Sequence, residues 1–315
     1  MGIVSLAVIK LSLVALFGFY LYKKAIIGQQ VLEFLTFFVI NFSVPFLIFS
    51  HLIANSKMVL ENSVWVFLIA SMAIFFVGYL LGIIVGSKKN NEFKKEFLGL
   101  VSFQNAGYLP MNIALFLFPQ GLREKFLVYV FLYLLGFNII MWSLGSFFIF
   151  RKQDEKFKLK DLFTPPVTST ILALVLIYTN IARFVPSIIL SPVKMIGQSS
   201  FVLSMIVLGC WLAKVSLKGI TKKLFVLAEA AFIKLFVVPF MFFLGMMVFK
   251  IYSFFGIFMI LQAAMPSAAS LPIIAKMRGA DSEFTSQGVF ATHVLSIFTI
   301  PLWLGLYLKL SGLSF

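Results

Sequence analysis

Long apolar stretches separated by short polar connectors run the whole length of the chain. A helix needs roughly 20 mostly apolar residues to cross a bilayer. On that rule the pattern predicts ten spans, at about 3–22, 31–54, 63–86, 98–118, 126–150, 165–182, 187–213, 224–249, 255–277 and 284–309. The first is predicted to be a span and not a cleaved signal, because it has no charged leading segment and no A-x-A site.

Composition supports an all-α polytopic membrane protein. The chain is 61% hydrophobic and 12% charged, whereas soluble domains are roughly 45–50% apolar and about 25% charged. The net charge of +15 would suggest nucleic acid in a soluble protein, but here the basic residues fall mostly between spans. We therefore expect the lipid bilayer as a partner and do not expect nucleic acid.

The basic residues are distributed unequally between the two sides of the membrane. One set of connectors carries 17 Lys and Arg and the alternate set carries seven, with Lys10 and Lys234 inside spans. Because the richer side is usually cytoplasmic, both termini are predicted to lie outside.

The longest connector, 151–166, divides the chain into two units of five spans each, 1–157 and 158–315. Five is odd, so a second repeat would enter the membrane from the opposite side, as in the inverted repeats of secondary transporters. Two short echoes support this: "GLREKF" with "GADSEF", and "FNIIMW" with "FTIPLW".

Two spans contain residues that break helices near their centres. The fourth carries "QNAGYLP" and is predicted to break near Tyr108, and the ninth carries "LQAAMPSAASLP" and breaks around Pro266, 158 residues later. Broken backbone at this depth must face protein or a watery cavity, and a half-helix that starts there offers free N–H groups to anions. Matched breaks indicate a transporter binding site; simple proline kinks are the alternative.

At these breaks the sequence resembles the auxin efflux carrier family. The similar segments are "SFQNAGYLPMNIALFLFP" (102–119), residues 261–303 from "LQAAMPSAASLP" to "FTIPLW", "INFSVPFLIFSHLI" (40–53) and "SFVLSMIVLGCWLA" (200–213).

The resemblance implies ten helices in a 5+5 inverted repeat with crossing, broken fourth and ninth helices, the architecture of bile acid symporters. Spans 1, 2, 6 and 7 would form a scaffold, and spans 3–5 and 8–10 a transport domain. Family members move organic anions such as auxin, malate or malonate. The short central connector is typical of a bacterial member, which would place the chain in the plasma (inner) membrane.

Candidate substrate-binding residues follow from the two breaks. Asn105 and Pro110 match the family's fourth-span Asn and Pro; Asn105 either contacts the substrate or an ion, or only caps its helix. Gly107 is expected to let the other broken span approach closely. The remaining candidates are Gln104, Gln262, Pro266, Ser267, Ser270 and Asn41.

Coupling by Na⁺ or by H⁺ is open at this stage. No acidic residue lies at a span centre, so a carboxylate relay is not visible, and Asp281 and Glu283 are predicted to serve as dipole partners of the tenth span. The coupling candidates are Asn138, His293, Thr292 and Lys234. Lys234 either extends towards the cytoplasm, near Glu229, or pairs with the anion.

The functional prediction is a secondary carrier of small organic anions that works by alternating access. The alternative is a membrane sensor that uses the same pocket without flux. No H-E-x-x-H, G-x-S-x-G or Cys/His cluster is present, so neither an enzyme nor a bound cofactor or metal is expected. A homodimer through the scaffold helices is the expected assembly.

Overall fold

A computed structural model of the protein describes residues 2–86, 93–150 and 159–313. The described residues are helical and contain no strand, apart from one isolated antiparallel bridge between Gln104 and Ser267. Part of the third-to-fourth connector, at 87–92, and the boundary predicted between residues 157 and 158 lie outside this range.

The described helices follow the predicted spans closely. They are α1 Gly2–Lys23, α2 Gln29–Ala54, α3 Ser56–Leu60, α4 Val64–Gly86, α5 Lys94–Ser102, α6 Tyr108–Leu117, α7 Gln120–Phe150, α8 Pro165–Tyr178, α9 Ser187–Lys214, α10 Ile220–Val248, α11 Phe254–Ala263, α12 Leu271–Met277 and α13 Ser282–Ser311. Single π-helical turns interrupt α2, α7 and α10, at Val39–Ser43, Ile140–Leu144 and Ile233–Val237.

Seven of these helices are long and apolar enough to cross a membrane: α1, α2, α4, α7, α9, α10 and α13. Three more apolar helices, α6, α8 and α11, have 10 to 17 residues. The chain is therefore a multi-pass membrane protein. The predicted fourth span is divided into α5 and α6, and the predicted ninth into α11 and α12, so both predicted breaks are present.

The helices pack in an order that places α7 at the centre. Helix α1 packs along α9, α2 packs against α8 and α9, and α4 packs against α5 and α7. Of the most apolar part of α7, 88% is buried, against 28% for α1. Helix α1 instead presents exposed side chains such as Leu13, Leu16 and Phe17, which suits a helix that faces lipid.

The start of α13 is fixed by Asp281. Its carboxylate accepts hydrogen bonds from the backbone N–H groups of Glu283 and Phe284, both at 2.9 Å, and pairs with Lys223 at 3.1 Å. Partial burial would raise the pKa of this carboxyl, but these hydrogen bonds and the Lys223 charge outweigh burial and lower the pKa. The predicted role of Asp281 at the helix N-terminus is confirmed.

Candidate functional site at the crossing of two broken helices

The two breaks, Phe103–Gly107 and Ala264–Ser270, cross and bond to each other through their backbones. The N–H of Asn105 donates to the carbonyl of Pro266 at 2.7 Å, and the N–H of Ala268 donates to the carbonyl of Phe103 at 3.0 Å. Lipid offers no hydrogen bonds to backbone groups, so each break satisfies groups that the other has freed. The predicted crossing is observed.

Three predicted residues, Gln262, Ser267 and the coupling candidate Thr292, hold this crossing together and are not among the residues that line the cavity described next. Gln262 donates from Nε2 to the carbonyl of Ala106 at 3.1 Å. Ser267 donates from Oγ to the carbonyl of Leu100 at 2.7 Å, and its N–H donates to Thr292 Oγ1 at 3.3 Å. Their position indicates a structural role in positioning the two breaks.

A cavity of about 70 Å³ lies against the crossing. Both breaks contribute to its wall, together with α2, the N-terminus of α8 and one face of α7. Its lining residues are Ile40, Val44, Gln104, Asn105, Ala106, Gly107, Tyr108, Met111, Leu134, Phe137, Asn138, Met141, Trp142, Pro166, Ala268, Ala269 and Ser270. This set contains no acidic or basic side chain, so polarity in the cavity comes from amides, hydroxyls and backbone.

Backbone donors are concentrated in this wall. Among the described residues, the N–H groups of Gly107, Tyr108, Ala269 and Ser270 have no protein acceptor. Gly107 and Tyr108 form the N-terminus of the ten-residue helix α6, where the helix dipole is positive. These four residues line a cavity whose wall contains no carboxylate, which is a suitable environment for an anion.

Asn105 is buried, with 4% exposure, and its amide bonds in two directions. Its Oδ1 accepts from the N–H of Leu109 at 3.4 Å, and its Nδ2 lies 3.1 Å from His293 Nε2. The His293 ring bonds in turn from Nδ1 to the carbonyl of Val289, at 2.8 Å. Asn105 therefore interacts with the N-terminus of α6 and also lines the cavity, so the two interpretations of this residue are compatible.

Three further candidates line the cavity. Gln104 donates from Nε2 to the hydroxyl of Tyr133, and its buried Oε1 has no partner among the residues that the structure describes. Asn138 contributes from α7, and Ser270 contributes from the second break, with its Oγ 3.7 Å from Met141 Sδ.

Other expectations are corrected by the structure. Asn41 does not reach the cavity, because its Nδ2 donates to the carbonyl of Phe37 on its own helix at 2.8 Å. Gly107 does not make room for the other break, since a Cβ there would meet the methyl carbons of Leu134 on α7, at 3.4 Å. Pro110 and Pro266 do not line the cavity; Pro110 is buried in the first turn of α6, where its missing N–H leaves no helical bond unmade.

Lys234 lies on the π-helical turn of α10 and is fully buried. Within the described residues its Nζ makes no hydrogen bond. It does not line the cavity, so in this conformation it neither extends to the membrane surface nor faces the anion site.

One wall of the cavity was missed by the sequence analysis. Five residues of α7 line it: Leu134, Phe137, Asn138, Met141 and Trp142. Their spacing of three and four residues is that of one helical face. This spacing was available in the sequence, but α7 is apolar on every side, and only the polar Asn138 distinguished that face.

Comparison with known proteins gives one family. Residues 3–304 match the family model described as membrane transport protein. The match runs from α1 into α13 and so includes both breaks and the cavity. No curated protein matches the chain.

Proposed function

Because the chain belongs to the membrane transport protein family, we propose that it is a secondary transporter of small organic anions, mono- or dicarboxylates. This family includes the auxin efflux carriers that the fourth and ninth spans resemble. Membership supports a transporter and not an enzyme. The substrate class, the site and the transport cycle are our proposals.

The proposal rests on the unpaired backbone N–H groups at the crossing. A carboxylate in the cavity would accept hydrogen bonds from Gly107 and Tyr108 on one break and from Ala269 and Ser270 on the other. Hydrogen bonds to a charged acceptor are about twice as strong as neutral ones, and the low dielectric of the interior strengthens them further. The amides of Gln104, Asn105 and Asn138 would fix the orientation of the anion.

The size of the cavity bears on the transport cycle. The volume of about 70 Å³ is well below the roughly 300–1,000 Å³ that is typical of small-molecule pockets. We infer that the cavity widens when it opens to water on one side. Alternating access supplies such a step, since the domain that carries both breaks would move against the remaining helices.

The architecture we propose has ten spans in a 5+5 inverted repeat. Helices α1, α2, α8 and α9 would form the scaffold, and the other helices that span or half-span the membrane would form the transport domain. The packing of α2 against α8 and α9, and of α1 along α9, supports this grouping. A bacterial inner-membrane location, outward termini and a scaffold-mediated homodimer complete the proposal.

Uptake by the purified protein in liposomes tests the proposal. The panel contains malate, malonate, lactate and acetate, with sodium and pH gradients imposed separately. We expect saturable uptake of at least one carboxylate, driven by one of the two gradients. Binding without uptake would favour a sensor, and uptake of none of the four anions would contradict the proposed substrate class.

A further inference from the structure

A chain of hydrogen bonds joins the anion cavity to a second cavity beside it. The second cavity has a volume of about 310 Å³ and lies between α1, α9 and α13. Most of its wall is apolar, and His293 and Ser296 are among the few polar residues that line it. Asn105 lines the first cavity and His293 lines the second, so their 3.1 Å contact connects the two spaces.

The partners of His293 fix its tautomer. The carbonyl of Val289 can only accept, so the Nδ1 atom that contacts it at 2.8 Å must carry a hydrogen. In a neutral ring Nε2 is then an acceptor, and it receives a hydrogen bond from Nδ2 of Asn105. The N–H of Leu109 donates to Oδ1 of the same amide. The donors and acceptors along this chain are therefore consistent with a neutral His293.

Protonation of His293 would reverse one bond of this chain. A hydrogen on Nε2 would face the Nδ2 hydrogens of Asn105, which is repulsive. The amide must then rotate so that Oδ1 faces the ring, and the N–H of Leu109 loses its acceptor. Rotation would free the Nδ2 hydrogens of Asn105, which lines the cavity, beside a new positive charge, and both changes favour an anion in the cavity.

Other charged groups lie on the helices packed against α13. Helix α11 has none. The other helices packed against α13 are α1, α5, α10 and α12. The charged residues on these helices and on α13 itself are Lys10, Lys23, Lys94, Lys95, Glu96, Lys222, Lys223, Glu229, Lys234, Lys276, Glu283 and Lys309. Glu96 bonds to the N–H of Asp281 at 2.7 Å, twelve residues before His293, or about 18 Å along α13. Within the described part of the chain no carboxylate forms an ion pair with His293.

We propose that His293 is a positioning residue that binds a proton and, through Asn105, increases the affinity of the cavity for its anion. This inference rests on the proposed function and names its coupling ion. Because binding coupling is reciprocal, the anion would also favour protonation of His293. Anion and proton would then cross the membrane together.

The tautomers can be measured without any transport. The protein has two histidines, and the second, His51, should have the opposite tautomer. Its Nε2 lies 3.0 Å from the carbonyl of Glu124, which can only accept, so Nε2 must carry the hydrogen. Solid-state NMR of ¹⁵N-histidine-labelled protein near pH 7.5, assigned with His293→Gln and His51→Gln, should show Nδ1–H for His293 and Nε2–H for His51. An Nε2–H tautomer at His293 would overturn the inference.

The coupling is tested by the pH profile of uptake with malonate and malate as probes. In the wild type we expect the half-saturating concentration to fall as pH is lowered, by up to about tenfold per unit, the limit for one linked proton. His293→Gln keeps a neutral acceptor but cannot titrate at neutral pH, so its profile should be flat. His51→Gln, the matched control, should keep the wild-type profile.

The outcomes separate this inference from the proposed function. A His293→Gln profile as steep as that of the wild type would overturn the role of His293 while leaving the carrier assignment in place. Absence of uptake of any anion by the wild type would instead overturn the proposed function. The NMR experiment would still decide whether the hydrogen-bond chain exists.

Discussion

The two breaks differ in what they bring to the crossing. The first, Phe103–Gly107, carries two amide side chains, Gln104 and Asn105, and both line the cavity. The second, Ala264–Ser270, consists of small residues with one Met and one Pro. The side chain of Ser267 donates to the carbonyl of Leu100 in α5 and does not line the cavity.

This difference indicates that the two breaks, which occupy matching places in the two halves of the chain, have different roles. Both breaks supply backbone donors, but the first also supplies two amide side chains, whereas the second supplies one hydroxyl and the small residues that permit close approach. Substitutions should therefore affect transport most at the first break, and packing most at the second.

The largest effect is expected for Asn105→Ala. It removes the amide that joins the cavity to His293, so we expect uptake to fall at least tenfold while the protein stays folded. Uptake in liposomes and thermal unfolding measure the two properties. Asn112→Ala is the matched control, because Asn112 is a buried amide on α6 that bonds to Ser204 outside the cavity. Equal losses in both variants would contradict a specific role for Asn105.

A large side chain in the second break should affect both folding and transport. Ala268 is 2% exposed, and its N–H bonds to the first break. Ala268→Leu would overpack this contact at a cost of typically 1–3 kcal/mol and narrow the cavity. We expect a lower unfolding temperature together with reduced uptake. The exposed Ala54→Leu should change neither property; an Ala268→Leu protein as stable as the wild type would contradict the close approach.

Removal of the serine hydroxyl from the second break should be milder. Ser267→Ala deletes the bond to the carbonyl of Leu100, and a buried hydrogen bond contributes about 1 kcal/mol. We expect a small decrease in unfolding temperature with uptake retained per folded molecule. Ser286→Ala, which loses a bond within its own helix, is the comparison. Loss of uptake without loss of stability would move Ser267 into the substrate site.

The smallest effect is expected at Gly107. Its φ of −113° is allowed for any residue, and a Cβ would only touch the methyl groups of Leu134, at 3.4 Å. Gly107→Ala should shift stability by less than about 1 kcal/mol, since Leu134 can adjust. A large loss of stability would show that the first break also needs a small residue.

Local chemistry explains how much of the site was predictable. Proline, glycine and amides in an apolar span identify a broken helix, and the two breaks at Phe103–Gly107 and Ala264–Ser270 were predicted within a few residues. The pairing of Asn105 with His293, 188 residues away, was not, because the rotation of α13 about its axis depends on packing. For the same reason, the prediction that Asn41 faces the cavity was wrong, and the two alternatives for the position of Lys234 could not be distinguished from the sequence.

The most direct test of the central claim asks whether an anion occupies the space between the two breaks. The single native cysteine, Cys210, is fully buried, so a cysteine introduced by Ala269→Cys would report on the cavity. The rate of its modification by a small methanethiosulfonate is measured with and without malonate or malate. An exposed cysteine introduced by Ala54→Cys is the control. The account predicts that the anion slows modification at position 269 and not at 54; equal rates with and without anion at position 269 would contradict it.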